Sequence, residues 1–388
     1  MNPSTEISMK SLLADLVSKP TISDRSNLEL LDYVEDHLAG FGARCRRFSS
    51  LDGTKANFLA TIGPQVAGGV VLSGHTDVVP VVGQKWSVDP FTLTERDGLL
   101  FGRGSTDMKG FLAAALSIAP VAARTELARP LHFAFSYDEE VGCTGVGPMI
   151  SYIAENVPAP LAVIVGEPTN MKPVAAHKGA FDWRTVVRGK AAHSSLPHLG
   201  AHAIFAGARL IGFIEQMQAD FHQRPATGTS YTIPYPTLSV GIAHGGTAGN
   251  IIPDQFILEW EARTLDAGQA DEIIGRFSAF AETTVLPLLL QTASEASITS
   301  TPLFDVPPLI RIAGSDAETL AMNLSGEPLA PAVSFCTEAG LFQQAGLSTI
   351  LCGPGSIDQA HQPDEYVSID QLEVCRSFLL RVLDSMTS

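Results

Sequence analysis

Four short stretches of the chain are apolar almost throughout: GGVVLSGH (residues 68–75), LHFAFSYDEE (131–140), LAVIVGEP (161–168) and STILCGPG (348–355). Runs of this kind belong to strands covered on both faces, the condition met in parallel sheets flanked by helices. The segments between them fit that reading. SNLELLDYVEDHLAGFG repeats apolar residues at helical spacing (Leu28, Leu31, Val34, Leu38) and stops at Gly40, and a second helical pattern runs from Met108 to Ile118. With NFLATIG as a further strand, helix and strand patterns alternate, which predicts an α/β domain with a mostly parallel central sheet flanked by helices.

From about Ala180 the character changes. FDWRTVVRG alternates as a half-buried strand, LGAHAIFAGARLIGFIEQMQ is helical, and TLSVGIAHGG and DQFILEWEART are strands joined by a turn. A helix from about Gln269 and EASITST as a last strand complete a β-α-β-β-α-β order, the pattern of a ferredoxin-like α+β unit. Because STILCGPG then resumes the first character, the chain reads as one α/β domain (1–179 and 293–388) interrupted by an insertion (180–292). Its 388 residues suit two domains.

Acidic residues outnumber basic ones, 41 to 25, for a net charge of −16, and no Lys/Arg cluster offers a footprint for phosphates, so no nucleic-acid partner is expected. Five cysteines (Cys45, Cys143, Cys336, Cys352, Cys375) without a CxxC pair point to reduced thiols. The first twenty residues carry charges and lack a signal-peptide core, and the longest apolar run, Gly110 to Ala123, is too short to span a bilayer. The expectation is a cytoplasmic protein with no membrane partner.

The apolar runs end in unexpected company. The first leads into His75 and Asp77, the second into Asp138, Glu139 and Glu140, the third into Glu167, and the loop after the fourth holds His361. Asp107 sits in the glycine-rich GRGSTDMKG. Singly, each has an ordinary explanation: Asp107 as a helix N-cap, Glu139 and Glu140 as a solvated turn, His361 as a loop histidine bonded to Asp364. Together they place two histidines and several carboxylates at the carboxyl ends of the strands of one sheet, where open α/β sheets gather ligands. Buried unpaired charge is costly, and a divalent cation offsets it. His75 is then a metal ligand, with Asp77 orienting its imidazole. No G-x-S-x-G elbow supplies a serine nucleophile, GRGSTDMKG lacks the lysine-hydroxyl ending of a phosphate loop, and no dinucleotide fingerprint follows the first strand.

The motifs SGHTDVVP, GRGSTDMKG, DEE, GEPT, GKAAHSS and AHQPDEY resemble, in order from about residue 5 to the end, those of the acetylornithine deacetylase / succinyl-diaminopimelate desuccinylase family of two-zinc amidohydrolases. The resemblance implies a zinc-hydrolase domain interrupted by a ferredoxin-like lid and dimerisation domain. It implies two Zn²⁺ per subunit, Co²⁺ being a possible substitute: one ion on His75 and Glu167, one on Glu140 and His361, and Asp107 bridging. Glu139 would be the general base and His193 of GKAAHSS would reach the oxyanion from a partner subunit in a homodimer. Asn250, Arg263 and Thr337 match substrate-contacting positions, although Arg263 could equally pair with Asp266, and Glu338 is a candidate to face a cationic side chain. PVAAHKG, YTIPYPTL, SFCTEA and GPGSIDQAHQPDEY are similar to the family members acting on N2-acetyl-L-ornithine in arginine biosynthesis. The expected small-molecule substrate is therefore an N-acyl amino acid, and a broader N-acyl-L-amino-acid deacylase or a dipeptidase is the alternative. A metal-binding protein without catalysis would have no need of the non-ligand Glu139.

Overall fold

The computed structural model describes residues 8–387, so the first seven residues of the amino-terminal stretch and of the resemblance lie outside the described residues. The chain divides into two units. One runs up to Ala176 and takes in Arg311–Ala330 and the residues from Thr337 on; the other comprises His177–Ile310 and Pro331–Cys336.

The first unit is built on a six-stranded sheet in the order Arg44–Ser49, Ala56–Ile62, Leu131–Ser136, Val70–His75, Ala162–Pro168, Thr349–Gly353. The first two pairings are antiparallel, and the three that follow are parallel. All four parallel strands are buried along their whole length, as their apolar composition predicts. Because they run in one direction, the residues that leave their carboxyl ends emerge along a single edge. Helices pack on this sheet. One of them, Lys109–Ser117, has all nine of its residues buried. A Cβ on Gly166 would lie 1.9 Å from the Phe111 ring, so only a residue without a side chain lets this helix sit on the strand that carries Glu167.

Two features were not legible as strands. Arg44–Ser49, RCRRFS, is an edge strand whose charges mask its periodicity, which is how natural edge strands avoid pairing with other chains. A small sheet of Tyr366–Ser368, Leu99–Phe101 and Thr94–Arg96 is made of three-residue strands, too short to show a period.

The second unit has a four-stranded antiparallel sheet in the order Thr237–Gly245, Gln255–Thr264, Gly179–Arg188, Ser297–Val306. Helices Ala203–His222 and Gly268–Phe280 fall between the strands in the β-α-β-β-α-β order. Trp260 stands at the centre of its core, its ring 4.5 Å from those of both Trp183 and Phe277. The helical run Gly268–Leu290 is long and apolar enough to cross a membrane by length and composition, yet Ile273, Phe277, Val285 and Leu289 bury one side of it in this core. The expected boundary after residue 292 needs correction. Ser297–Val306 pairs with Gly179–Arg188 along its whole length, so the unit continues to Ile310 and regains Pro331–Cys336.

Gly166→Ala tests the close approach of helix and sheet. Pushing a methyl group into the Phe111 ring should cost about 1–3 kcal/mol of stability, as overpacking usually does. Denaturant unfolding of the variant against the parent protein measures it, and equal midpoints would contradict the tight fit.

Candidate metal centre

His75 is the last residue of Val70–His75 and is almost fully buried. Its Nδ1 lies 2.9 Å from the backbone carbonyl of Asp77, which fixes the ring and turns Nε2 towards Asp107 Oδ1 at 3.0 Å. Orientation therefore comes from the main chain of Asp77 and not from its carboxylate, which lies 3.7 Å from Nδ1. That carboxylate has another task. It accepts the backbone N–H groups of Glu139 and Glu140, each at 3.2 Å, and the Ser23 hydroxyl at 2.8 Å. Asp77 thus shapes the turn that presents both glutamates. The turn opens at Asp138, in left-handed backbone and paired with Lys55 at 2.5 Å.

Asp107 is held by a second buried device. The N–H groups of Thr106 and Asp107 both donate to Glu365 Oε1 at 3.0 Å, and Arg103 Nη1 grips Glu365 Oε2 at 2.6 Å. Arg103 and Glu365 are each 1% exposed, so the pair is fully desolvated and its charges depend on one another. Sequence reading passed over both residues, although each lies inside a quoted motif. The signal was there: one loop carries a lone arginine, the other a glutamate beyond the histidine, with apolar strands around both. Asp107 is no N-cap, since Met108 caps the next helix, without a side-chain bond.

The two oxygens of Asp107 face two histidines, Oδ1 towards His75 and Oδ2 towards His361 Nε2 at 3.3 Å. His361 Nε2 also meets Glu140 Oε2 at 3.0 Å. Ligand atoms of His75, Asp107 and Glu140 lie within 4.8 Å of one another, and so do those of His75, Glu139 and Glu167. Asp364 is not the partner of His361, because it accepts the Ser87 N–H instead.

Four carboxylates against two imidazoles leave a surplus of negative charge. Burial, then the charge of Asp107, pushes Glu140 up to about 7 and Glu167 well above the usual carboxylate range. Glu139 is raised well above it too, by burial first and by Glu140 among its acidic neighbours. Burial would also raise Asp107, but bonds from His361 and His75 outweigh it and hold the group well below its ordinary value. His361 is pushed up to about 10 by its bonds to Asp107 and Glu140. Glu167 Oε1 is buried with no hydrogen-bond partner. An orphaned carboxylate oxygen, facing imidazoles and further carboxylates, is the donor set of a hard or borderline divalent cation. The residues fit a metal pair.

The remaining predicted residues divide between the units. Thr337, in the first, is buried and accepts the Ala339 N–H at 3.1 Å. Glu338 does not face a ligand: the Ser73 and Ser136 hydroxyls donate to its two oxygens at 2.6 Å each, inside the sheet. In the second unit, His193 is exposed and pairs with Ile251, which brings it beside Asn250, whose carbonyl accepts the Ser194 N–H at 2.9 Å. The N–H and hydroxyl of Ser195 lie 3.2 and 2.7 Å from His193 Nδ1; since the backbone N–H donates, the ring proton sits on Nε2, free to donate outward. Arg263 pairs with Glu261 at 2.9 Å and touches Cys336 Sγ. The expected alternative, Asp266, instead accepts the N–H groups of Gly268 and Gln269 at the start of a helix.

The chain matches the model of the peptidase family M20/M25/M40 over residues 71–385. Acetylornithine deacetylase of Shigella sonnei (strain Ss046) is 34% identical over 381 residues, 95% of either chain. Among solved structures, an M20 family metallo-carboxypeptidase of Sulfolobus solfataricus superposes with a TM-score of 0.74 at 19% identity, covering 96% of this chain and 97% of that one. A dinuclear metal-binding peptidase of Bacillus subtilis gives 0.67 at 16% identity, with 97% of each covered. By the extent of the family match and of the identity to a curated relative, this chain belongs to the peptidase family M20/M25/M40.

Proposed function

We propose that this metal-dependent amidohydrolase releases acetate from N2-acetyl-L-ornithine, leaving L-ornithine, in the cytoplasmic synthesis of arginine. Hydrolysis of a linear amide with the help of metal follows from the family and its named relative. The choice of substrate is supported by the 34% identity to an acetylornithine deacetylase across nearly the whole chain. The observation that carries the mechanism is the placing of Glu139. It stands within reach of His75 and Glu167, held by Asp77 through its main chain rather than by another side chain of the cluster.

In this reading His75 and Glu167 would hold one ion and Glu140 and His361 a second, with Asp107 shared between them. Zn²⁺ suits the imidazole and carboxylate donors, and Co²⁺ is the natural substitute. Bound there, such a pair would supply Lewis acidity and a lowered pKa for water. Glu139 takes the proton of the attacking water as its oxygen bonds to the carbonyl carbon, and delivers it to the nitrogen as the C–N bond breaks. Asn250, Arg263 and Thr337 receive the substrate, Arg263 through the fork geometry that matches a carboxylate. His193 donates from Nε2 to the developing oxyanion of the partner subunit's substrate in a homodimer formed through the second unit. Phe205, Ile242 and Ile251 are apolar side chains exposed in that unit, which such a dimer would cover.

Chelation should abolish hydrolysis and Zn²⁺ or Co²⁺ should restore it. The protein should bind up to two equivalents of metal by elemental analysis, and Asp107→Ala should impair both. Full activity in metal-free protein would remove the metal from the reaction.

Glu139→Gln keeps size and polarity, so metal content should persist while kcat falls on the order of 10²–10⁴-fold. A rate panel over N-acetylornithine, N-acetylmethionine, N-succinyl amino acids and dipeptides decides the substrate. Preference for N-acetylornithine is expected, while equal rates over N-acyl amino acids, or faster cleavage of dipeptides, would replace this reading with the broader deacylase or the dipeptidase.

Mixed dimers test the role of His193. His193→Ala and Glu139→Gln proteins, each nearly inactive, should regain part of the activity after subunit exchange, since one of the two shared sites then carries neither defect. Verified exchange with no recovery would exclude action across subunits.

A further inference from the structure

A cavity opens at the far end of Leu131–Ser136, the strand that leads into Glu139 and Glu140. Arg44, Thr61 and His132 face each other in register across three neighbouring strands, and Arg46 and Leu59 form the adjacent row. Opposed residues, and those two apart along a strand, share a face of the sheet, so these five side chains point the same way. Tyr152 and Asn156 of the helix Gly147–Asn156 wall the space, together with Pro64, Pro130 and Pro158, and enclose about 260 Å³. His132 stands four residues before Ser136, the last of its strand, which puts the cavity roughly 13 Å from that end of the sheet at the usual rise per residue.

The lining combines two guanidinium groups and the neutral polar side chains of Thr61, Gln65, Tyr152 and Asn156 with apolar walls. No Asp or Glu contributes to it, in a chain with 41 acidic residues against 25 basic. Arg44 donates to the Gly63 carbonyl at 3.1 Å, and Arg46 donates to the Tyr152 hydroxyl at 3.1 Å while stacking 4.2 Å above that ring. Among the described residues neither guanidinium meets a carboxylate, and both keep unused N–H donors. His132 is 2% exposed, its Nδ1 is engaged by the Thr61 hydroxyl at 2.8 Å, and its Nε2, buried beside Gly69, has no partner. An unpaired buried imidazole nitrogen costs stability unless something reaches it.

These features select a ligand. Two guanidinium groups free of acids ask for an oxyanion, and the leucine and proline walls ask for an apolar body attached to it. A free ammonium group would find no carboxylate in the lining and two like charges beside it. We propose that this cavity is a binding site for a small organic monocarboxylate without an ammonium group, its carboxylate on Arg44 and Arg46 and its chain against Leu59 and the prolines. It is separate from the metal centre, and nothing in the hydrolytic reaction calls on its residues.

Titration calorimetry on metal-loaded protein tests this, with butyrate as the probe and Arg44→Gln/Arg46→Gln as the variant. Both arginines are exposed on an edge strand, so metal content, unfolding temperature and kcat should match the parent protein. The parent should show a butyrate site that the variant lacks or binds at least about tenfold more weakly, the usual scale for charge-assisted hydrogen bonds. 4-Aminobutyrate, which adds only the ammonium group, and inorganic phosphate, which lacks the apolar body, should each bind this site more weakly than butyrate. Identical butyrate isotherms for the two proteins would overturn the site. Phosphate or 4-aminobutyrate binding there as tightly as butyrate would overturn the ligand class.

Discussion

Repulsion among buried carboxylates is the constraint around which the first unit is organised. Asp107, Glu139, Glu140 and Glu167 approach one another with only His75 and His361 to offset them. Left alone, such a cluster would take up protons or open to water. The raised proton affinities of Glu139, Glu140 and Glu167 show the first tendency, and the scaffold resists the second. Glu167 sits in a strand buried along its whole length, and the other acids are fastened through the main chain, Glu139 and Glu140 by Asp77 and Asp107 by Glu365. The carboxylates are held in place by still more carboxylates, each made tolerable by N–H donors or by Arg103. That is the pattern of a site prepared for a cation before it arrives, with side chains that need not reorganise on binding.

Much of this was legible in the residues because burial and chemistry leave opposite marks. An apolar strand that ends in His or Glu announces a sheet edge with a purpose, and His75, Glu140, Glu167 and His361 were found that way. The β-α-β-β-α-β order of the second unit was legible for a similar reason, since alternating strands and long amphipathic helices have distinct periods. What escaped was whatever depends on pairing between distant loops. The charge of Glu365 beyond His361 was visible, but its partner was not, since Glu365 and the Asp107 backbone are 258 residues apart. Nor does sequence tell whether Asp77 acts through its carboxylate or its carbonyl, because both lie two residues from His75.

Glu338 shows the limit from the other side. Its place in SFCTEAG made it a candidate to meet a cationic substrate group, yet its carboxylate receives the hydroxyls of two serines in adjacent strands and is buried to 1% exposure. The serines were visible inside LSGH and FAFS, but two hydroxyls in an apolar strand read as neutral filler until the strands are set side by side. Ser73 pairs with Ala134, two residues before Ser136, so both hydroxyls fall on one face of the sheet. A buried acid is then satisfied without any ligand.

The order in which the chain delivers the residues of this cluster has a consequence for biosynthesis. His75, Asp107, Glu140 and Glu167 precede the second unit, whereas His361, Glu365 and the last parallel strand, Thr349–Gly353, follow it. On the ribosome, the amino-terminal strands emerge first with most of the acidic cluster but without its closing histidine and without the glutamate that fixes the Asp107 loop. The second unit is contiguous apart from a six-residue return, Pro331–Cys336, and can fold while the first waits. Closure of the first unit must bring together ends separated by that whole insertion, at an entropic cost that grows only slowly with the length of the loop. Metal capture then belongs to the last stage of folding, and its binding energy accrues to the finished chain alone. A polypeptide cut off within the insertion would expose an unpaired strand edge beside uncompensated carboxylates, a marked difference from the complete protein for quality control to act on.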